Sequence, residues 1–524
     1  MEKTIKRTLT LISFIFGIAC MAAFASPVSA RAAVCEVTTY DGQKAEFDTF
    51  NQGWAYACYK STTDANKPTT FKLLSDWKSW TSKGKHSMNG SSYKHSKFDL
   101  GVDVERRHVP GLDGSKSKVD CFDDGHIWVP DKKIITIDLN GYNIDRQRGN
   151  DQDDDGEVIN VAPKAVLTLN DSNPDREQFL CGYYTLGGAI TGGASKDGAG
   201  GIHIKDGATL IAEGVNICGN QTNDDGGGIK LAGSKSKLIM NNCEMFGNKT
   251  RNAKGDTDGG AIYFNGGTAI ITNTRFTSNE SEDYGGALHS DEGNVKLTIE
   301  NCVFEKNYCK DDGGAIYMDA GKLTMSDCTF YRNSAGDDGG AVYIDGKEGT
   351  VIRNCTIDDN NAKDSAGGLY VCDDNVFLID SKISYNSCGT TGGGIYVKGK
   401  YRISIQGVMQ VYKNTGSGGR ADDLYLEDSK ENATVYSGGL MDGSTVGIRT
   451  GGKDPELRNV TKQEVDEYFF ANEGTFSTSK QSETNESYYA SVFATGNIYV
   501  MMMVFIAAAA FFVIGAVIVK KAKG

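Results

Sequence analysis

From about residue 200 to 430 the chain alternates apolar and polar positions in very short runs. In "GAIYM" (314–318), Ile316 and Met318 point one way and Tyr317 the other; "KLTM" (322–325) does the same with Leu323 and Met325, and "CTF" (328–330) pairs Cys328 with Phe330. Alternation over three to five residues predicts short strands. Glycine or polar breaks separate the runs, and no segment there carries a helical period. The pattern also returns. The aliphatic residue after the small-residue pair falls at Ile202, Ile229, Ile262, Leu288, Ile316, Val342, Leu369, Ile395 and Leu424. A later asparagine falls at Asn220, Asn248, Asn279, Asn307, Asn333, Asn360, Asn386 and Asn414. Two independent markers keep one spacing, which makes chance coincidence untenable.

Three short strands in ~27 residues describe one coil of an all-β, right-handed parallel β-helix, since a single unit cannot bury its apolar face and stacking must close the core. Coils ~4.8 Å apart would give nine of them a length of roughly 40 Å. The glycine pairs Gly313-Gly314 and Gly339-Gly340 suit a corner where φ is positive or a side chain would collide. Asn279, Asn307, Asn333 and Asn360 suit another corner, because asparagine tolerates the left-handed region, and stacked amides can hydrogen-bond along the rod.

The signatures Gly-Gly-Ala-Ile (259–262, 313–316) and Phe-x-x-Asn (276–279, 304–307, 330–333) resemble the repeats of polymorphic outer-membrane proteins, surface β-helix adhesins. "ITIDLNGYNI" (135–144) is similar to the opening coil of pectin-lyase-like β-helices. The resemblance covers ~125–430 and implies a β-helical surface protein. Fold alone does not carry activity. The adhesin family ends in a β-barrel, whereas this chain ends in one apolar stretch, which points to a single-membrane surface.

The ends predict that placement. Residues 1–30 have a basic start (Lys3, Lys6, Arg7), an apolar middle and a small-residue Val28-Ser29-Ala30 end, the pattern of a secretory signal peptide. Residues 498–519 carry no charge and precede Lys520, Lys521 and Lys523. That is the pattern of a single transmembrane helix with a cytoplasmic basic tail, 520–524. The expectation is a cell-surface, single-pass protein with its N-terminal part extracellular. Residues 31–124 are expected to hold an N-terminal cap and first coils, 125–430 the repeats, 431–473 the β-rich end of the rod, and 474–496 a Ser/Thr-rich stalk.

Net charge is −13, and loss of residues 1–30 removes three basic and one acidic side chain, leaving −15. That argues against nucleic acid as a partner. Twelve of thirteen cysteines lie beyond the leader. Cys243, Cys302, Cys328 and Cys355 share one place in their units, where Thr274 and Ser381 stand elsewhere. A stack of buried thiols explains this better than disulfides, whose Cβ geometry parallel coils do not offer. Cys35, Cys58 and Cys121, outside the repeat, are better disulfide candidates.

Tyr263, Tyr317, Tyr343, Tyr370, Tyr396 and Tyr425 should face outward and stack, which makes them the leading candidates for a glycan- or protein-binding stripe. The plain alternative is strand propensity on a solvated face. Asp224, Asp225, Asp258, Asp283, Asp311, Asp312, Asp337 and Asp338 recur before the glycines. They form either a solvated turn column or, with its like charges relieved by calcium, a cation site. Asp151, Asp153 and Asp155 before Gly156 match the start of a calcium loop but lack its last acidic ligand, Ala162 standing there. No paired-carboxylate set breaks the repeat, and the Asn-Thr-Asp and Gly-His-Gly strings of glycosidases of this fold are absent. The leading expectation is therefore a non-enzymatic adhesin or binding rod. The competing one is a tethered polysaccharide lyase or glycoside hydrolase, and a passive spacer is the third.

Overall fold

A computed structural model of the chain describes residues 32–78, 96–99, 118–123, 126–148 and 156–472. Within the last span it omits 253–254, 256, 292–293, 347–348, 373–375, 428–432 and 452–455. The expected signal peptide, stalk, transmembrane span and tail, together with Asp151, Asp153 and Asp155, lie outside these residues. Among the described residues no helix is long and apolar enough to cross a membrane.

The period becomes a parallel solenoid of about 11 coils. One coil consists of Ile316–Met318, Lys322–Ser326, Thr329–Tyr331 and Ser334–Ala335, each pairing in parallel with its counterpart 26 to 28 residues away. The three expected strands are present, and a two-residue fourth joins them. That fourth strand builds its own eight-stranded ladder from Ala194–Ser195 to Ser387–Cys388. Two residues are too few to show alternation, so nothing in the pattern announced it. The aliphatic column pairs residue on residue from Ile202 to Leu424. Inside, Leu323, Met325, Cys328 and Phe330 are fully buried. The rings of Phe276, Phe304 and Phe330 stack 4.7 Å apart.

Corners set the shape. Each coil turns three times through a left-handed residue. The first corner falls after the long strand, at Asn242, Asn273, Asn301, Asp327, Asn354 and Asp380, with φ between 48° and 56°. The second takes Ser278, Lys306, Arg332, Asp359, Tyr385 and Lys413. The third takes the leading glycine of each pair, such as Gly313 and Gly339, with Ala366 standing in once. This corrects the reading of Asn279, Asn307, Asn333 and Asn360: the left-handed residue is the one before each of them. The conformational argument for asparagine belongs to the first corner instead. The two glycines of a pair have separate reasons. Gly313 needs its φ of 73°, whereas a Cβ on Gly314 would sit 2.1 Å from the Gly340 carbonyl oxygen one coil on.

The second asparagine column is a hydrogen-bond ladder, buried throughout. Asn333 Oδ1 accepts from the Asn307 backbone N–H at 3.0 Å and from its Nδ2 at 2.9 Å. Asn333 Nδ2 donates to Asn360 Oδ1 and to the Phe304 carbonyl, both at 2.9 Å. Both lone pairs and both amide hydrogens are used, which is all an asparagine offers. The pattern runs from Asn220 to Asn414. It ends on Asp423, which needs only to accept from Asn414 and is itself met by Asn472.

At the N-terminal end the pattern turns antiparallel. Cys35–Thr38 pairs with Lys44–Phe47 and with Thr69–Leu73, which then opens the parallel ladder. Helix Phe50–Lys60 packs on these strands and buries Trp54, Ala55, Tyr56, Ala57 and Cys58. Five consecutive buried residues leave no polar stripe, so the sequence pattern gave no sign of a helix there.

Removing one rung should be costly. Asn333→Ala removes the partner of the Asn307 backbone N–H, of an Asn307 amide hydrogen and of the Phe304 carbonyl in the core, while Asn360 Oδ1 keeps the backbone N–H of residue 333. The expected loss is about 4 kcal/mol, read as a shift of the urea unfolding midpoint at constant slope. A loss below about 1 kcal/mol would show that the ladder does not hold the coils together.

Candidate binding surface on the side of the rod

The six tyrosines sit in one register column on the outer side of the first strand, directly above one another from Tyr317 to Tyr425. Ring centroids are 4.8, 4.6 and 4.8 Å apart from Tyr317 to Tyr396, with near-parallel planes. Outward direction and stacking are as the alternation implied, but openness is not. Tyr343 is 8% exposed and Tyr370 6%. The cause is the turn that precedes each strand, Asp337-Asp338-Gly339 before Tyr343 and Asp364-Ser365-Ala366 before Tyr370. Its left-handed residue folds the chain back over the coming tyrosine, so closely that a Cβ on Gly339 would lie 3.0 Å from Tyr343 Cβ. Tyr343, Tyr370 and Tyr396 form a second small core with Ala366 and Cys372.

Toward the N-terminus the same column changes character. From Tyr317 it continues through His289, Tyr263, Lys230, His203, Asn160 and Trp128. Lys230 Nζ lies 2.6 Å from Asp224 and 3.0 Å from Asp225. Burial opposes its charge, but the two carboxylates outweigh it and hold Lys230 above its ordinary range. His289 Nδ1 is 3.0 Å from Asp258 Oδ2, and the Tyr263 hydroxyl donates to Asp291 at 2.7 Å. His203 is buried beside Lys205 and Lys230, which keeps it neutral. The sequence offered a sign of this cluster, the replacement of tyrosine in this column. The cluster is roofed: His203, Tyr263 and His289 are buried.

The acidic turns are a structural column. Asp312 Oδ1 accepts the Asp338 N–H at 2.8 Å, Asp338 Oδ1 accepts from Ser365 at 2.7 Å, and Asp225 and Asp258 do the same in earlier coils. Burial, with repulsion from Asp338, Asp337 and Asp311, raises Asp312 to about 7, and burial raises Asp338 to about 6. Asp337, Asp338 and Asp364 bring one oxygen each within 4.8 Å of one another. Three oxygens fall short of the six to eight that calcium takes.

The thiols at Cys243, Cys302, Cys328 and Cys355 each donate to the carbonyl two residues back, at 3.1 to 3.3 Å. Thr274 and Ser381 make the same bond at 2.8 Å. The position therefore wants a small donor that bridges the first corner. Cys35 and Cys58 are buried in the N-terminal strands and helix.

The repeat is broken most visibly by a hairpin. Glu177–Leu180 pairs antiparallel with Tyr183–Leu186 around the two-residue turn Cys181-Gly182, whose φ values of 51° and 88° mark a type I′ turn. Its inner face is docked. Leu180 packs on Ala189, Cys218 and Phe246. Thr185 Oγ1 hydrogen-bonds Asn216 and Glu244, and Tyr183 meets Phe246 edge-on at 5.4 Å. Its outer face carries Phe179 (62% exposed), Tyr184 (89%) and Leu186, the first two in ring contact at 5.0 Å. Together with Tyr183, these make four of the eleven exposed large hydrophobics among the described residues. The period and alternation of the repeat do not announce this hairpin. The missed signal is "FLCGYYTL", apolar runs on both sides of a two-residue turn.

Residues 188–339 match a family model described as a right-handed β-helix region. The rod is a right-handed parallel β-solenoid, in keeping with the β-helix superfamily. Neither curated proteins nor solved structures returned a match.

The acid column gives the rod a pH dependence of definite sign. A carboxyl raised in the fold contributes stability that is present at low pH and lost as pH rises through its folded value. For Asp312 the loss runs from about pH 4, the unfolded value, to about pH 7, and for Asp338 from about pH 4 to about pH 6. Asp312→Asn keeps the oxygen that accepts the Asp338 N–H but removes the titration. The variant should unfold at higher temperature than the parent at pH 8, and the difference should shrink at pH 5. Thermal unfolding followed by circular dichroism checks this, and a gap that widens at pH 5 would contradict it.

Proposed function

We propose that this chain is a non-enzymatic binding rod, tethered through 498–519 and displayed outside the membrane, that holds an uncharged glycan on the outer face of the 177–186 hairpin. The observation that carries the reading is the exposed Phe179–Tyr184 pair on a docked, well-braced element. Area argues for a glycan over a protein. A stable protein interface takes about 800 Å² per partner, whereas two aromatic side chains bury at most a few hundred. A sugar ring needs a flat apolar face with polar groups at its rim, and Glu177 and Tyr184 supply both. Charge argues for an uncharged chain, since a net −13 disfavours polyanions. The tyrosine column, covered by its turns, supports the frame in this reading.

A second reading, a tethered lyase or hydrolase, draws on the His203–Lys230–Tyr263–His289 cluster, the one place where titratable groups replace the tyrosine ladder. It requires the roofing turns to open.

The full chain in detergent micelles on a glycan array, read for both retention and released sugar, separates the two. Retention without release is expected. Phe179→Ala with Tyr184→Ala should weaken it tenfold or more while leaving the unfolding temperature within a few degrees, since both side chains are exposed. Unchanged retention in that variant would remove the hairpin from the site. Sugar released by the parent and not by Lys230→Met would establish the enzyme.

A further inference from the structure

The turn of the hairpin carries a chemical group that the binding reading leaves unused. A type I′ turn favours asparagine, aspartate or glycine in its first place, yet Cys181 stands there at φ 51°. Its thiol points at the rod, where it lies 3.9 Å from Thr191 Oγ1. Cys218 is fully buried and sits opposite Thr191 in the parallel register.

The rod makes room for this thiol. The second corner takes Ser278, Lys306, Arg332, Asp359, Tyr385 or Lys413 in later coils, so positive φ alone does not demand glycine there. The two coils beneath the hairpin have Gly219 and Gly247. A Cβ on Gly219 would lie 2.2 Å from Cys181 Sγ, and one on Gly247 would lie 3.9 Å from Cys181 Cβ.

We infer that Cys181 and Cys218 form a thiol–disulfide exchange site, oxidised by a small or protein disulfide carrier, whose intramolecular disulfide staples the aromatic hairpin to the rod. The division of labour follows from exposure. Cys181 is exposed and meets the carrier, whereas Cys218 is buried and can reach only Cys181. The neighbouring Cys218 thiol draws the Cys181 thiol below its ordinary range, and its proximity to Cys181 together with burial holds Cys218 above it. Cys181, the exposed residue of the pair and the one whose thiol is lowered, is therefore the nucleophile.

The Cys181 thiolate attacks one sulfur of the carrier disulfide. A Cys181–carrier disulfide forms and one carrier thiolate leaves. Cys218 then loses its proton and its sulfur attacks Cys181 Sγ, releasing the second carrier thiolate. Two protein thiols are oxidised by two electrons, the carrier is reduced to two thiols, and the two protons end on them. The Cys302, Cys328 and Cys355 thiols are buried and already donate to backbone carbonyls, so a carrier has no approach to them.

The full chain, equilibrated with oxidised and reduced glutathione at graded ratios, quenched, alkylated after denaturation and digested without reduction, gives the test by mass spectrometry. A linked peptide pair containing Cys181 and Cys218 is expected, with Cys302, Cys328 and Cys355 alkylated. Cys218→Ser should stop the reaction at the glutathione adduct on Cys181. Chymotrypsin should cut the oxidised parent at Phe179 and Tyr184 at least tenfold more slowly than the reduced one. Alkylation of both cysteines at every ratio, or a glutathione adduct persisting on Cys181 of the parent, would overturn the proposal. None of these readouts involves a glycan, so failure here leaves the binding reading standing, and the reverse also holds.

Discussion

Parallel stacking is the constraint from which the rest follows: every side chain lies on its own counterpart one strand spacing away. A residue is thus chosen against copies of itself above and below. Asparagine solves this completely on the inside, because its amide can donate upward and accept from below at the same time. Phenylalanine solves it by stacking rings, and cysteine, serine or threonine by turning a small donor back on its own coil. Aspartate is the hard case, since a column of it repels itself. The rod meets that by using one oxygen of each inner carboxylate to bind the next coil's N–H and by letting burial keep part of the column protonated.

The same rule decides what can be legible in the sequence. Features repeated in every coil were readable: the strand alternation, the aliphatic column that pairs Ile202 through Leu424, the stacked Phe276, Phe304 and Phe330, and the hydrogen-bonded asparagines. Features that depend on how one segment folds over another were not. Alternation put Tyr343 and Tyr370 on the outer side of the strand, and they are; it carries no information about the turn that lies across each of them. The left-handed corner was assigned to the wrong asparagine because φ belongs to the residue before Asn333, and Arg332 gives no hint of it. The helix at Phe50–Lys60 escaped because it is buried on almost every side.

Departures from self-stacking mark where the surface differs from the repeat itself. Three occur in neighbouring coils: the tyrosine column gives way to His289, Lys230 and His203, the second corner reverts to glycine at Gly219 and Gly247, and a hairpin interrupts the period. The glycines are explained by the hairpin, since they clear the space its turn occupies. In the polar cluster Lys230 is held by Asp224 and Asp225, and the Tyr263 hydroxyl by Asp291. The hairpin's outer face is the departure that, among the described residues, leaves large aromatic side chains exposed.

That difference bears on how a repeat rod can recognise anything. A surface built of identical rungs offers the same contact at every coil, which favours sliding attachment over a defined site, and here the turns hide that surface as well. An inserted hairpin is free of the stacking rule, so Phe179 and Tyr184 need not match a residue above or below them. Such freedom costs order, because a two-stranded hairpin is marginal by itself. The docking of Leu180, Thr185 and Tyr183 onto the rod supplies that order, and it leaves the aromatic pair facing outward on a rigid base.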